Sequence, residues 1–246
     1  MEEKINPKKR VLFIVTQSET GGAQQFILQI LKNLNYENYN AGLACGSEGN
    51  YELLDKLQNE PIEKFKLADL KRSGMLSDIM AVFEIRKILK SFRPDTLFLN
   101  SSKAGFIGSL AVRFPNKIQT KVIYRIGGWT FNDPWPKWKR KLFILLERLS
   151  ASWKDIIVLN SLNDLKQAES LGIKPKDKLE LVYNGLNPNK IEFLDKDEAK
   201  IKLYERLPTK PGSFLNSDFI FGTIANFYKT KGLEYLIESV NILQDT

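Results

Sequence analysis

The chain has 246 residues, 43% of them hydrophobic and 27% charged, which is enough apolar mass for a proper core and argues against a disordered polypeptide. Its 37 Lys and Arg exceed its 29 Asp and Glu, and the formal net charge of +8 favours anionic partners: nucleic acid, phosphorylated small molecules or an acidic membrane face. With no histidine, serine-histidine-aspartate hydrolases and histidine-bound zinc enzymes are excluded, and the single cysteine allows neither an internal disulfide nor a cysteine zinc site.

Residues Met1 to Arg10 form a charged lead-in with no apolar stretch, and no later run approaches the roughly 18 apolar residues of a membrane span, so a cytoplasmic protein is expected. The first apolar run, "VLFIVT" (Val11 to Thr16), leads into "QSETGGAQQFILQIL". Gly21 and Gly22 there mark a strand-to-helix turn where backbone can approach a ligand and exposed amides favour a phosphate. The spacing is not G-x-G-x-x-G, and a tight turn with no ligand is the alternative. Phe26, Ile27, Ile30, Leu31 and Leu34 form the stripe of the helix that follows. "AGLACG" (Ala41 to Gly46) reads as a strand carrying a buried, inert Cys45. A second helical stripe comprises Ile79, Val82, Phe83, Ile85, Ile88 and Leu89.

"DTLFLN" (Asp95 to Asn100) then runs into "NSSKAGFIGSLAV". Ser101, Ser102 and Lys103 sit at a strand's carboxyl end, where open α/β sheets bind ligands, and two hydroxyls with an ammonium make a plausible oxyanion cradle. The alternative is that Ser102 merely caps the helix. Small residues at Ala104, Gly105, Gly108, Ser109 and Ala111 favour close packing on the sheet. "KVIYRI" (Lys121 to Ile126) runs into "GGWTFNDPWPKWKRK", with Gly127 and Gly128 at the strand's end and Trp129 and Trp135 among Lys137, Lys139, Arg140 and Lys141. Cations at a helix start oppose its dipole, so this loop suits a lipid headgroup surface or a sugar phosphate, or else is a solvated helix end over a buried tryptophan pair. Trp138, Leu142, Leu145, Leu146, Leu149 and Trp153 are expected to face the core. "DIIVLN" (Asp155 to Asn160) and "KLELVYN" (Lys178 to Asn184) complete the runs.

Nearly continuous apolar strands mean burial on both faces, hence a parallel sheet, and their alternation with helices gives a doubly wound α/β domain. After Asn184 the chain becomes polar and proline-bearing, with one helix around Glu198 to Arg206; "FIFGTIAN" from Phe219 reads as a new strand, followed by a helix whose stripe of Leu233, Leu236, Ile237, Val240 and Leu243 expects a sheet to pack on.

Taken together, "TGGAQQFILQILKNL", "NSSKAGFIGSLAV", "VIYRIGGWTFN", "VYNGLNP" and "GTIANFYKTKGLEYLIESV" resemble the family-four retaining glycosyltransferases of GT-B architecture. The resemblance implies two Rossmann-like domains: residues 1–188 as the acceptor-binding domain, 189–218 as a linker, and 219–246 as the first strand and helix of a truncated donor-binding domain. It also implies a nucleotide-sugar donor, a glycan or lipid-linked acceptor, an anionic membrane surface as a further partner, no nucleic acid, no metal and no cofactor beyond the co-substrate. Gly21, Gly22 and Lys231 would hold the donor phosphates. Asn100, Ser101, Ser102, Lys103, Gly127, Gly128, Trp129 and Asn184 would contact acceptor or substrate. Asn226 stands where the family usually has a basic residue, and Asn100 and Gly127 where many members carry histidine; the family's paired glutamates would fall beyond Thr246. No residue is assigned to the chemical step, whose proton the departing phosphate itself can take. The alternatives are an inactive acceptor-binding module and a basic nucleic-acid binder.

Overall fold

Leu12 and Ile14 belong to one buried apolar cluster and Phe13 and Val15 to another. Side chains alternate along a strand, so a run that is apolar at every position has both faces covered. In the computed structural model, which describes residues 7–71, 74–185, 188–208, 220–225, 227 and 231–244, that run is β1 (Lys9–Val15), followed by α1 (Gly22–Lys32), β2 (Tyr39–Gly46), α2 (Glu52–Asp55), β3 (Glu63–Leu67), α3 (Met75–Phe92) and β4 (Thr96–Leu99). Next come α4 (Ser102–Arg113), β5 (Lys121–Ile126), α5 (Lys137–Ala151), β6 (Ile156–Leu159), α6 (Leu162–Ser170) and β7 (Lys178–Leu181), then α7 (Lys196–Arg206) and α8 (Leu233–Gln244).

The strands form one seven-stranded sheet in the order β3-β2-β1-β4-β5-β6-β7, every pair parallel. The expected α/β class and doubly wound parallel sheet are therefore observed. The chain turns back between β1 and β4, which places the carboxyl ends of β1, β4 and β5 side by side on one edge. Such reversal points are where open α/β sheets bind ligands.

Two elements differ from expectation in instructive ways. The short strand β3, "EKFKL", has no continuous apolar run because only Leu67 of it is buried and only β2 pairs with it. Around α5 most of the expected core stripe lies outside: Trp138 is 68% exposed, and Leu142, Leu145 and Leu149 are exposed as well, whereas Leu146 and Trp153 are partly buried. The partly buried Phe143 and Ile144 pack against the core instead.

Helix α4 lies close on the sheet because it has glycine where a side chain would collide. A Cβ at Gly105 would strike the Tyr124 ring, and one at Gly108 would strike Leu99. Its far end is held by Arg86, buried to 7% exposure, which donates to the carbonyls of Ala111, Phe114 and Asn116. Carbonyls at a helix carboxyl end favour a cation.

The chain divides into two units between Asn184 and Gly185. Within the second, Asp195 caps α7 by accepting from the amides of Asp197 and Glu198. Ile220–Ala225, part of the stretch expected to be a strand, has no regular structure; a strand needs a neighbour to pair with, and the described residues of this unit include none. On α8, Leu236, Ile237 and Leu243 are exposed.

Candidate functional site

The turns after β1, β4 and β5 meet through side chains. Thr16, at the end of β1, and Ser101, at the end of β4, share a hydroxyl hydrogen bond of 2.7 Å. Ser101 is also the N-cap of α4, accepting from the Ala104 amide at 3.2 Å. The capping role considered for Ser102 thus belongs to its neighbour. Ser102 accepts from the Thr130 hydroxyl at 2.7 Å, which ties the β4 turn to the loop after β5.

Arg125, the penultimate residue of β5, is 4% exposed and organises the same edge. Its guanidinium donates to Asn100 Oδ1 at 3.1 Å and to Asn184 Oδ1 at 2.8 Å, and it lies 3.7 Å over the Phe26 ring of α1. Asn100 in turn donates to the Ala23 carbonyl in the first turn of α1 at 2.7 Å. No carboxylate pairs with Arg125 among the described residues. Burial alone shifts its pKa, in the downward direction. Since a guanidinium does not give up its proton in proteins, the edge carries a positive charge satisfied by neutral oxygens only. The sequence signal for it was a charged residue inside an otherwise apolar strand, where burial demands partners.

Gly21 is the N-cap of α1, and no side chain caps that helix or places an acid in its first turn. A Cβ at Gly22 would meet nothing within 4 Å, so no internal contact requires glycine there. Gly127 and Gly128 are exposed, and Gly128 has φ of +135°, a conformation that glycine adopts without strain. Lys103 pairs with Asp78 at 2.5 Å.

Two residues expected at the ligand are enclosed. Trp129 is 2% exposed, stacked on Phe131 at 5.2 Å, and donates its indole N–H to the Asp164 carbonyl at 3.0 Å. It is a core residue, because a buried indole reaches its one partner inside the protein. Asn100, at 1% exposure, is a joint between β4, β5 and α1 rather than a contact surface. Asn184 is exposed and held by Arg125. Lys231 is exposed and belongs to the second unit, and Asn226 lies outside the described residues.

Beside this edge opens a cleft of about 1,210 Å³. Its floor is one face of α4, from Ser102 and Lys103 through Phe106, Ile107 and Leu110 to Phe114. Ile79, Val82 and Phe83 of α3 form one wall, and Phe143, Leu146 and Glu147 of α5 the other. Trp135 lies at the rim end, 5.7 Å from Phe143, with Lys139 Nζ 3.6 Å above its ring. Glu147 has a compensating charge behind it: the fully buried Lys154, at 3.4 Å. The pKa of Lys154 is lowered by burial, against the opposing effect of Glu147.

Residues 20–190 match the sequence profile described as Glycosyltransferase Family 4. The Escherichia coli protein named O-antigen biosynthesis glycosyltransferase WbnH is 34% identical over 167 residues, covering 68% of this chain and 46% of the relative. The Escherichia coli UDP-Gal:alpha-D-GlcNAc-diphosphoundecaprenol alpha-1,3-galactosyltransferase is 22% identical over 225 residues, covering 90% of this chain and 54% of that one. Among solved structures, Anabaena HepE in complex with UDP and glucose superposes with a TM-score of 0.60 at 16% identity, over 79% of this chain and 49% of that one; at that identity the likeness shows the fold alone. The chain spans about half the length of the relatives it matches.

Proposed function

The chain belongs to glycosyltransferase family 4, and we propose that it serves the acceptor side of an enzyme that moves a sugar, with retention, from a nucleotide-diphosphate sugar to a glycan or lipid-linked acceptor. Polysaccharide or cell-envelope assembly is the setting that the relatives' names support. The single observation that carries the reading is the edge built around Arg125: a buried cation without a carboxylate partner among the described residues, between the uncapped start of α1 and the hydroxyls of Ser101 and Ser102.

In the proposed step the acceptor hydroxyl oxygen bonds to the anomeric carbon as the bond from that carbon to the β-phosphate oxygen breaks. The bonding pair stays on the phosphate oxygen, which takes the acceptor's proton. Negative charge grows on the diphosphate, and fixed amides and cations stabilise it without reorganising. The amides at Gly21 and Gly22 and the charge of Arg125 are the proposed source of this within the first unit. The nucleotide-sugar is a co-substrate, and the step as written calls for no metal or cofactor.

The same reading puts the protein in the cytoplasm at the inner face of a membrane. Helix α5 supports it, with Trp138, Leu142, Leu145 and Leu149 exposed along one side beside Lys137, Arg140, Lys141 and Arg148, a composition that suits an anionic lipid surface. No helix among the described residues is long and apolar enough to cross a membrane.

The test is release of nucleoside diphosphate when the chain meets UDP- or GDP-sugars with a polyprenyl-diphosphate-linked sugar. Turnover that drops at least tenfold in Arg125→Met is expected. Acceptor binding without turnover would instead make the polypeptide a binding module. If neither nucleotide-sugar nor acceptor binds, the proposal fails.

A further inference from the structure

Resting on the reading of a lipid-linked acceptor, we infer that the cleft between α3, α4 and α5 is the seat of that acceptor's isoprenoid chain, with its diphosphate at the Ser101–Lys103 end. The shape fits a chain rather than a compact ligand. The cleft exceeds the roughly 300–1,000 Å³ of ordinary small-molecule sites and follows the length of α4, about 18 Å for its 12 residues. Its lining is sorted along that length. At the sheet edge stand Thr16, Ser101, Ser102, Lys103 and Thr130; beyond them the floor and walls are almost wholly apolar as far as Phe114 and Pro115. A molecule with a charged head and a long apolar tail has that order.

Charge matches at the head end. The pair Thr16–Ser101 spends one proton on itself and holds a second, whereas Ser102 accepts from Thr130 and gives its own proton to Tyr124. Of the acidic groups on the walls, Asp78 is answered by Lys103 and Glu147 by Lys154. Asp133, also on the lining, is matched in charge by Lys139 of the same lining, at the start of α5, a helix end with no first-turn acid and no side-chain cap. A diphosphate offsets the helix dipole and takes hydrogen bonds from Lys139 and the hydroxyls. The apolar wall is open to solvent rather than consumed by packing: Ile79 is 54% and Phe83 58% exposed.

The experiment measures binding of geranyl, farnesyl and geranylgeranyl diphosphate to the full chain in detergent-free buffer, by calorimetry and tryptophan fluorescence, with inorganic diphosphate as the chainless probe. Affinity is expected to rise about tenfold or more with each added isoprene unit, since every buried methylene contributes. Ile79→Gln combined with Phe83→Gln, which adds no charge, should abolish that rise, read as the slope of affinity against chain length. Both sites are exposed, so the fold is retained, and Phe83→Leu should keep most of the rise. A flat series, or a double variant that binds the series as the parent does, overturns the inference. So does binding seen only to phosphatidylglycerol vesicles and not to the free diphosphates, which would assign the cleft to a bilayer surface. The chain-length series and the transfer assay fail separately: a steep series without sugar transfer removes the enzyme reading and keeps the chain site, whereas transfer with a flat series does the reverse.

Discussion

Arg125 shows how much one side chain can decide. A buried guanidinium near the end of an apolar strand is costly unless its donors are met, and here Asn100 and Asn184 meet them from beyond the ends of two other strands. Arg125→Met strands both amide oxygens and is expected to lower stability by about 1–3 kcal/mol in urea unfolding; Arg125→Lys recovers little of it, because an ammonium cannot span both partners as the planar fork does. Cys45, at 0% exposure, makes a second point at this scale. Burial, with Asp55 adding to it, pushes its thiol from 9.0 up to about 12. A raised folded pKa stabilises fully below the unfolded value and loses that contribution as pH climbs through the folded one. Stability should therefore fall between pH 9 and about 12, and Cys45→Ala should flatten that fall when denaturation midpoints are followed against pH. Tyr36, raised from 10.0 to about 12 chiefly by burial, contributes to the remaining slope, as do Tyr51 and Tyr124, both also raised chiefly by burial.

Among elements, α1 and α4 use glycine for opposite reasons, and the difference is measurable. Gly105 is enclosed against the Tyr124 ring, so Gly105→Ala should cost about 1–3 kcal/mol through overpacking. Gly22 faces open space at a helix start, so Gly22→Ala should leave stability unchanged or raise it by about 0.4–1 kcal/mol. Its effect should appear instead as weaker nucleoside diphosphate binding in calorimetry, since a methyl there obstructs backbone approach to a phosphate; unchanged affinity would detach Gly22 from the proposed donor site. Helix α5 was legible as a helix but not in its facing. A periodic stripe says that one side is apolar, and nothing local says what lies against it. The stripe through Trp138 and Leu142 is exposed, while the partly buried Phe143 packs against the core. The edge strand β3 went unread because burial of only Leu67 leaves no apolar run to find.

For the whole molecule, the net charge of +8 and the exposed stripe of α5 act together. The chain should bind phosphatidylglycerol vesicles, and the bound fraction in sedimentation should fall steeply between about 0.1 M and 1 M salt, as the screening length drops from about 10 Å to 3 Å. Trp138→Asp with Leu142→Asp should weaken it at least tenfold without moving the thermal midpoint, because both positions are exposed; binding insensitive to both salt and these changes would remove α5 from the membrane. Residue order by itself determined the alternation of strands and helices, the parallel sheet and the edge where Gly22, Ser102 and Gly128 gather, because burial on both faces and turn chemistry are written in adjacent residues. Only the tertiary structure decided that Trp129 lies inside and Trp138 outside, that Arg125 reaches Asn184 across 59 positions, and that α3, α4 and α5 leave a cleft between them. Those outcomes depend on which distant segments meet, and a local pattern records a segment's preference for burial without naming the partner that provides it.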